Sequence, residues 1–129
     1  MNPRYQCFRR DGAVGWRLLS GNHRSLAASA VTFPTLEEAV RDADSIRSLA
    51  ADAELELVSY TGTTWRWVML VDGVPRAVAA VSYARRLECV RAMERFRACA
   101  ATAEVSSATL PERPRSSMTR LRAPRVTPL

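Results

Sequence analysis

A tryptophan strand written twice constrains this chain more than any other feature. Val14-Gly15-Trp16-Arg17-Leu18-Leu19 returns about fifty residues on as Trp65-Arg66-Trp67-Val68-Met69-Leu70. Around each copy the same order recurs: an extended run, the Trp strand, a turn, a second extended run, an aromatic, then an amphipathic helix. With an offset of 51, Cys7 falls on Val58, Trp16 on Trp67 and Leu18 on Met69. One residue is then missing from the second copy's turn. At an offset of 50, Asn22 falls on Asp72, Phe33 on Tyr83, Val40 on Val90, Ala43 on Met93 and Ile46 on Phe96. A single gap inside a turn, with apolar character kept on both sides, is the trace that duplication of a supersecondary unit leaves. One copy of roughly 45 residues would struggle to bury its own hydrophobic face, so the two are expected to share a core. A length of 129 residues with 47% apolar content suits one such domain.

Local signals order the elements. Tyr5 to Arg10 reads as a strand closed by Asp11-Gly12. In the next strand Trp16 and Leu18 share one face, while Arg17 and Leu19 point the other way. Ser20 to His23 is a turn, and Leu26 to Val31 a third strand, which completes a meander. Thr35 with Glu38 forms a capping box after Pro34, and Leu36, Ala39, Val40, Ala43, Ile46 and Leu49 fall at helical spacing. The second copy opens near Leu55, turns at Thr61-Gly62, and ends its Trp strand at Asp72-Gly73, a strong hairpin signal. Pro75 suits the head of a strand or an edge. Ser82 is the expected cap of a second helix whose stripe is Tyr83, Leu87, Val90, Met93, Phe96 and Ala100. From Val105 onward Ser, Thr, Pro and Arg dominate without a period, which predicts disorder. The expected architecture is α+β: two tandem β-β-β-α repeats, at about 4–51 and 54–103, packed as one pseudo-twofold domain over residues 1–104. A disordered tail at 105–129 follows.

Charge follows the same division. Residues 1–104 hold 14 Arg against 12 acids, residues 105–129 hold 5 Arg against 1, and Lys is absent. The sequence has no run of eighteen apolar residues of the kind that crosses a membrane as a helix, and Met1-Asn2-Pro3-Arg4 leads into no apolar stretch of a secretory signal. Three cysteines scattered over strand and helix do not form a disulfide framework. A cytoplasmic protein with free thiols is expected.

Trp16-Arg17-Leu18, Asn22, Leu26, Ser29, Phe33, Ala39 and Ile46 together resemble the pattern of the YegP-like family, and Trp67, Asp72-Gly73 and Tyr83 echo it more faintly. That family is a small bacterial and archaeal domain of unknown function, often found in tandem. The resemblance covers about residues 5–99. It implies a β-β-β-α unit doubled about a pseudo-twofold axis, with self-association through sheet surface or edges, and it implies no activity or cofactor. His23 stands where the family usually has Gly, Val68 where it has Arg, and Ala79 where it has Ser. The second unit is therefore degenerate.

Few residues carry chemistry. His23, the one histidine, lies in a turn beside Asn22 and Arg24 and reads as a surface residue rather than a catalytic base. Cys89 and Cys99 are ten apart on one helix, so they point to different faces and read as small buried hydrophobes rather than a metal pair. Gly-rich phosphate loops, HExxH pairs and nucleophile elbows are missing from the sequence. These features predict no catalytic residue, no metal and no cofactor. Trp16, Trp65 and Trp67, interleaved with Arg17 and Arg66, could form a stacking platform for bases. The repeat-equivalent positions of Trp16 and Trp67 favour core instead, and Trp65 shares the Trp67 face by alternation. Arg85 and Arg86 fall at the start of the second helix, where the dipole disfavours cations and where an anion could dock. Arg17, Arg66, Arg85 and Arg86 are thus candidates for an anion or a partner. Arg113, Arg115, Arg120, Arg122 and Arg125 are candidates for electrostatic contact by the tail. The expected function is a non-catalytic binding or interaction module. The alternative is a nucleic-acid-associated protein that uses the tail and the arginines of the folded unit, or the same arginines against an acidic protein.

Overall fold

In the computed structural model, which describes residues 2–22, 24–59 and 62–110, the chain runs β1 (Arg4–Arg10), β2 (Ala13–Leu19), β3 (Ser25–Ser29), α1 (Leu36–Leu49), β4 (Glu54–Val58), β5 (Arg66–Val71), β6 (Val74–Ala79), α2 (Arg86–Ala100) and β7 (Glu104–Leu110). Two Asp-Gly turns fix the hairpins β1–β2 and β5–β6. Asp11 and Asp72 take φ of 50° and 53°, and Gly12 and Gly73 follow at 80° and 78°. Consecutive left-handed residues make the turn whose twist matches that of the flanking strands.

All seven strands join one sheet in the order β4-β5-β6-β3-β2-β1-β7. The repeats meet where β3 pairs antiparallel with β6, through Ala27↔Ala79, Ala28↔Val78 and Ser29↔Ala77. An offset of 50 exchanges the two sides of that ladder and leaves Ala28↔Val78 at its centre. The pseudo-twofold axis therefore passes through this pair. Each repeat also ties the segment before its helix to its Trp strand. Val14 and Phe33 exchange two backbone hydrogen bonds of 2.8 and 2.7 Å, and Trp65 and Tyr83 exchange two of 2.7 and 2.8 Å.

Both helices lie on one face. Trp16 and Trp67 stand on that same side of the sheet by register, and both are fully buried. Trp16 meets Tyr5 edge to face at 5.3 Å, and Trp67 lies against Phe96 of α2 at 4.5 Å. Thr35 caps α1 by accepting from the Glu38 N–H at 3.2 Å. At the other end of α1, Arg97 of α2 donates to the carbonyls of Ala50, Ala51 and Ala53 at 2.9, 2.8 and 3.2 Å. The Tyr5 hydroxyl donates to the Ala100 carbonyl that ends α2, at 2.8 Å. Each helix thus has orphan C-terminal carbonyls met by a side chain from the other repeat.

Several expectations need correction. The stretch after Val105 is not wholly without structure: Glu104–Leu110 forms β7, parallel to β1, pairing Arg4↔Glu104 and Tyr5↔Val105 and, past a bulge, Cys7↔Thr109 and Phe8↔Leu110. Composition underrated it because β7 gains mainly from the open backbone edge of β1, with Val105 added to the core margin. Residues 111–129 lie outside the described residues, as does His23. The second helix starts at Arg86 with Arg85 as N-cap and no side-chain cap bond, not at Ser82. Tyr83 belongs to the bridge with Trp65, and Leu87 is exposed. The buried stripe of α2 is Cys89, Ala92, Phe96 and Ala100. The third strand stops at Ser29, where the chain turns to bring Phe33 onto Val14. Pro75 sits in an interior strand, at the bulge where its missing N–H is tolerated. Leu57, not Val58, matches Cys7, since Leu57 pairs with Trp67 as Cys7 pairs with Trp16. The β4–β5 loop therefore holds one extra residue, which a gapless comparison of the first strands conceals.

Candidate functional site

The second face of the sheet has neither helix over it. Register places Glu56, Val68, Val78, Ala28, Arg17 and Gln6 side by side across β4, β5, β6, β3, β2 and β1. Their chain neighbours Trp67, Ala77, Ala79, Ala27 and Trp16 are buried on the helix side. Val68, Val78, Ala28 and Arg17 are half-buried and Glu56 is exposed. The middle of this face is apolar and its margins are charged.

One margin is built on glycine. A Cβ at Gly15 would come within 3.0 Å of the Phe8 ring and 3.3 Å of the Ser29 hydroxyl, so only hydrogen lets the ring lie down across β2. Arg10 and Arg17 then place their guanidinium carbons 5.2 and 5.7 Å from the ring centre, within range of a cation–π contact. Arg66 also emerges on this face, three strand intervals across from Arg17 and two residues along, or roughly 16 Å away. Its Nε is buried without a hydrogen-bond partner among the described residues. At the opposite margin Glu54 shares a hydrogen bond with Glu56 and so raises the pKa of the Glu56 carboxyl.

Arg85 and Arg86 do not join this group. They open α2 on the helix side, and Arg86 lies 6.0 Å from the centre of the half-buried Trp65 ring. The four candidate arginines of the folded unit thus divide between two faces. The tail arginines Arg113, Arg115, Arg120, Arg122 and Arg125 lie outside the described residues. A stacking platform of tryptophans does not exist, because Trp16 and Trp67 are core. Burial raises the pKa of Cys7, Cys89 and Cys99 alike, opposed by Arg86 at Cys89 and by Arg95 at Cys99. All three stay as thiols rather than reactive thiolates at neutral pH. Among the described residues no three His, Cys, Asp or Glu gather as a metal would need, and no helix is long and apolar enough to cross a membrane.

Under the helices lies a polar cluster that sequence reasoning missed. Asp42 of α1 accepts from the Trp16 indole at 2.7 Å and pairs with Arg76 of β6 at 2.7 Å. Arg76 is the extra residue of the β5–β6 bulge, which lets it reach into the other repeat. Around Trp67 the equivalent positions hold Ala92 of repeat two and Leu26 of repeat one, and the Trp67 indole nitrogen is buried without a partner among the described residues. One signal was present in the sequence. Asp42 stands three residues after Ala39 and four before Ile46, on the apolar stripe, where an acid needs a reason.

No family model matches the sequence, and no curated protein matches it. Two solution NMR structures share its architecture. The YegP protein of unknown function from E. coli superposes with a TM-score of 0.71 at 13% identity, covering 86% of this chain and 95% of its own. A UPF0339 protein from Shewanella oneidensis gives a TM-score of 0.72 at 10% identity, covering 86% and 93%. At such identities the shared property is the arrangement of sheet and helices. The chain has the fold of the YegP-like proteins.

Proposed function

We propose that this protein is a non-catalytic binding or interaction module whose working surface is the uncovered sheet face. One observation carries the reading: among the described residues, a seven-stranded sheet buries one face under two helices and leaves the other with an apolar middle and charged margins. An antiparallel sheet facing only water carries polar residues there. Val68, Val78 and Ala28 at its centre instead fit the apolar core of an interface with a polar rim. The three free thiols accord with a cytoplasmic setting.

A photo-crosslinking residue at Val78 tests this in cells. Adducts are expected from Val78 and not from Leu87, which is exposed on α2 away from that face. An absence of adducts from Val78, with the protein expressed and folded, would sink the reading.

Arg17 and Arg66 on the same face favour nucleic acid as the second reading. A salt series of DNA and RNA binding for the full chain against a chain ending at 110 separates its parts. Loss of five tail phosphate contacts lowers the log–log salt slope by up to about 4.5. Binding that survives truncation and falls on Arg17→Ala and Arg66→Ala places nucleic acid on the sheet. No binding at low salt ends this reading.

A further inference from the structure

The row across the uncovered face is asymmetric in charge although the backbone that builds it is symmetric. The pseudo-twofold axis exchanges Ala28 with Val78, Arg17 with Val68 and Gln6 with Glu56. Duplication would have left like residues at each pair. Instead one end of the row carries Glu56, with Glu54 beside it on the same strand face, and the other carries Arg17. No ion pair holds Glu54 or Glu56 among the described residues. Sheets pack face to face at about 10 Å, so a second sheet laid on this one would bring its own row over it.

Two perpendicular twofold axes in the plane between the sheets could relate such copies. An axis running across the strands sets Glu56 over Glu56 and Arg17 over Arg17. An axis running along the strands sets Glu56 over Gln6 of the other copy, one strand interval of about 4.8 Å from its Arg17. The same axis sets Val78 over Ala28 at the centre. The contact is isologous, so each copy contributes both an acid and a base.

Resting on the reading of this face as an interaction surface, we propose that its partner is a second copy of this chain, stacked sheet to sheet with Glu56 of each copy paired to Arg17 of the other. The apolar centre supplies the contact and the two ion pairs select the orientation.

Sedimentation velocity of the full chain over a concentration series, at about 50 mM and about 500 mM salt, reads the association. Dimers are expected that weaken as salt rises. Glu56→Arg sets like charges against Arg17 and weakens dimerisation at least about tenfold, and Arg17→Glu does the same against Glu56. An equimolar mixture of the two variants makes both ion pairs complementary again and forms a heterodimer tighter than either homodimer. Glu56 is exposed, so Glu56→Arg retains the fold, and circular dichroism checks that Arg17→Glu does too. Three results overturn the pairing: a wild-type chain that stays monomeric at low salt, a Glu56→Arg chain that dimerises like wild type, or a mixture no tighter than its parts. A monomer whose Val78 still crosslinks to another macromolecule overturns the second copy while leaving the binding face in place.

Discussion

At the scale of single residues, the two buried tryptophans are equivalent in position and opposite in chemistry. Trp16 donates to Asp42, whereas the Trp67 indole nitrogen has no acceptor among the described residues. Trp16→Phe therefore loses a hydrogen bond to a charged acceptor and is expected to cost roughly 1.5–3 kcal/mol more than Trp67→Phe in urea unfolding. Equal costs would mean that packing alone decides both. Asp42→Ala strands both Arg76 and the Trp16 indole, and about 2–4 kcal/mol of destabilisation is expected. Adding Arg76→Leu copies the apolar arrangement around Trp67, and a coupling of at least about 1 kcal/mol should return in the double variant. Tyr5 gives a pH test. Burial raises its pKa far above the usual tyrosine value, opposed by Arg47, so the folded chain holds the proton more tightly than the unfolded one. Its contribution is complete below the unfolded value near 10 and is lost as pH rises beyond it. Unfolding free energy should thus fall above about pH 10, with a shallower slope in Tyr5→Phe than in wild type. Some slope remains there, because burial raises Tyr83 as well. The sequence marked Trp16 and Trp67 as core through their repeat spacing. It could not show their partners, because Asp42 and Arg76 meet across 34 residues through a bulge.

At the scale of elements, what was legible followed local rules, and what was not depended on a distant partner. The Thr35 cap, the two Asp-Gly turns and the Trp strands are written in neighbouring residues, and the structure places all of them as expected. The start of α2 was misplaced because Ser82 is a good cap by type, while the Tyr83 bridge to Trp65 holds that segment extended. β7 was missed because its stability belongs to the edge of β1. Removing residues 104–129 should therefore cost more than removing 111–129. The first deletion strips the β1 edge and withdraws Val105 from the margin of the core, at an expected cost of at least about 1 kcal/mol. Thermal unfolding of the two truncations checks this, and identical melting would mean that β7 contributes nothing to the fold.

At the scale of the whole molecule, duplication explains the sheet and divergence explains its faces. The pairing of Ala28 with Val78 joins two similar halves into one continuous sheet, and the repeat in the sequence foretold that. The charge asymmetry of that one row was not foretold, since Glu56 and Arg17 become one row only once strands from both halves are set in register. The same whole-molecule ordering has a consequence for the chain as it is made. Of the described strands β1 is made before the others, yet Arg4 pairs with Glu104, so its outer edge waits for the rest of this domain to be synthesised. Contacts so distant in sequence form late, and an unpaired strand edge is where nascent chains join one another. Arg4, Arg9 and Arg10 stand on that waiting strand, and charge is a recognised guard of an open edge. The arginines of β1 thus put charge along an edge that stays open until β7 pairs with it from Arg4 to Phe8.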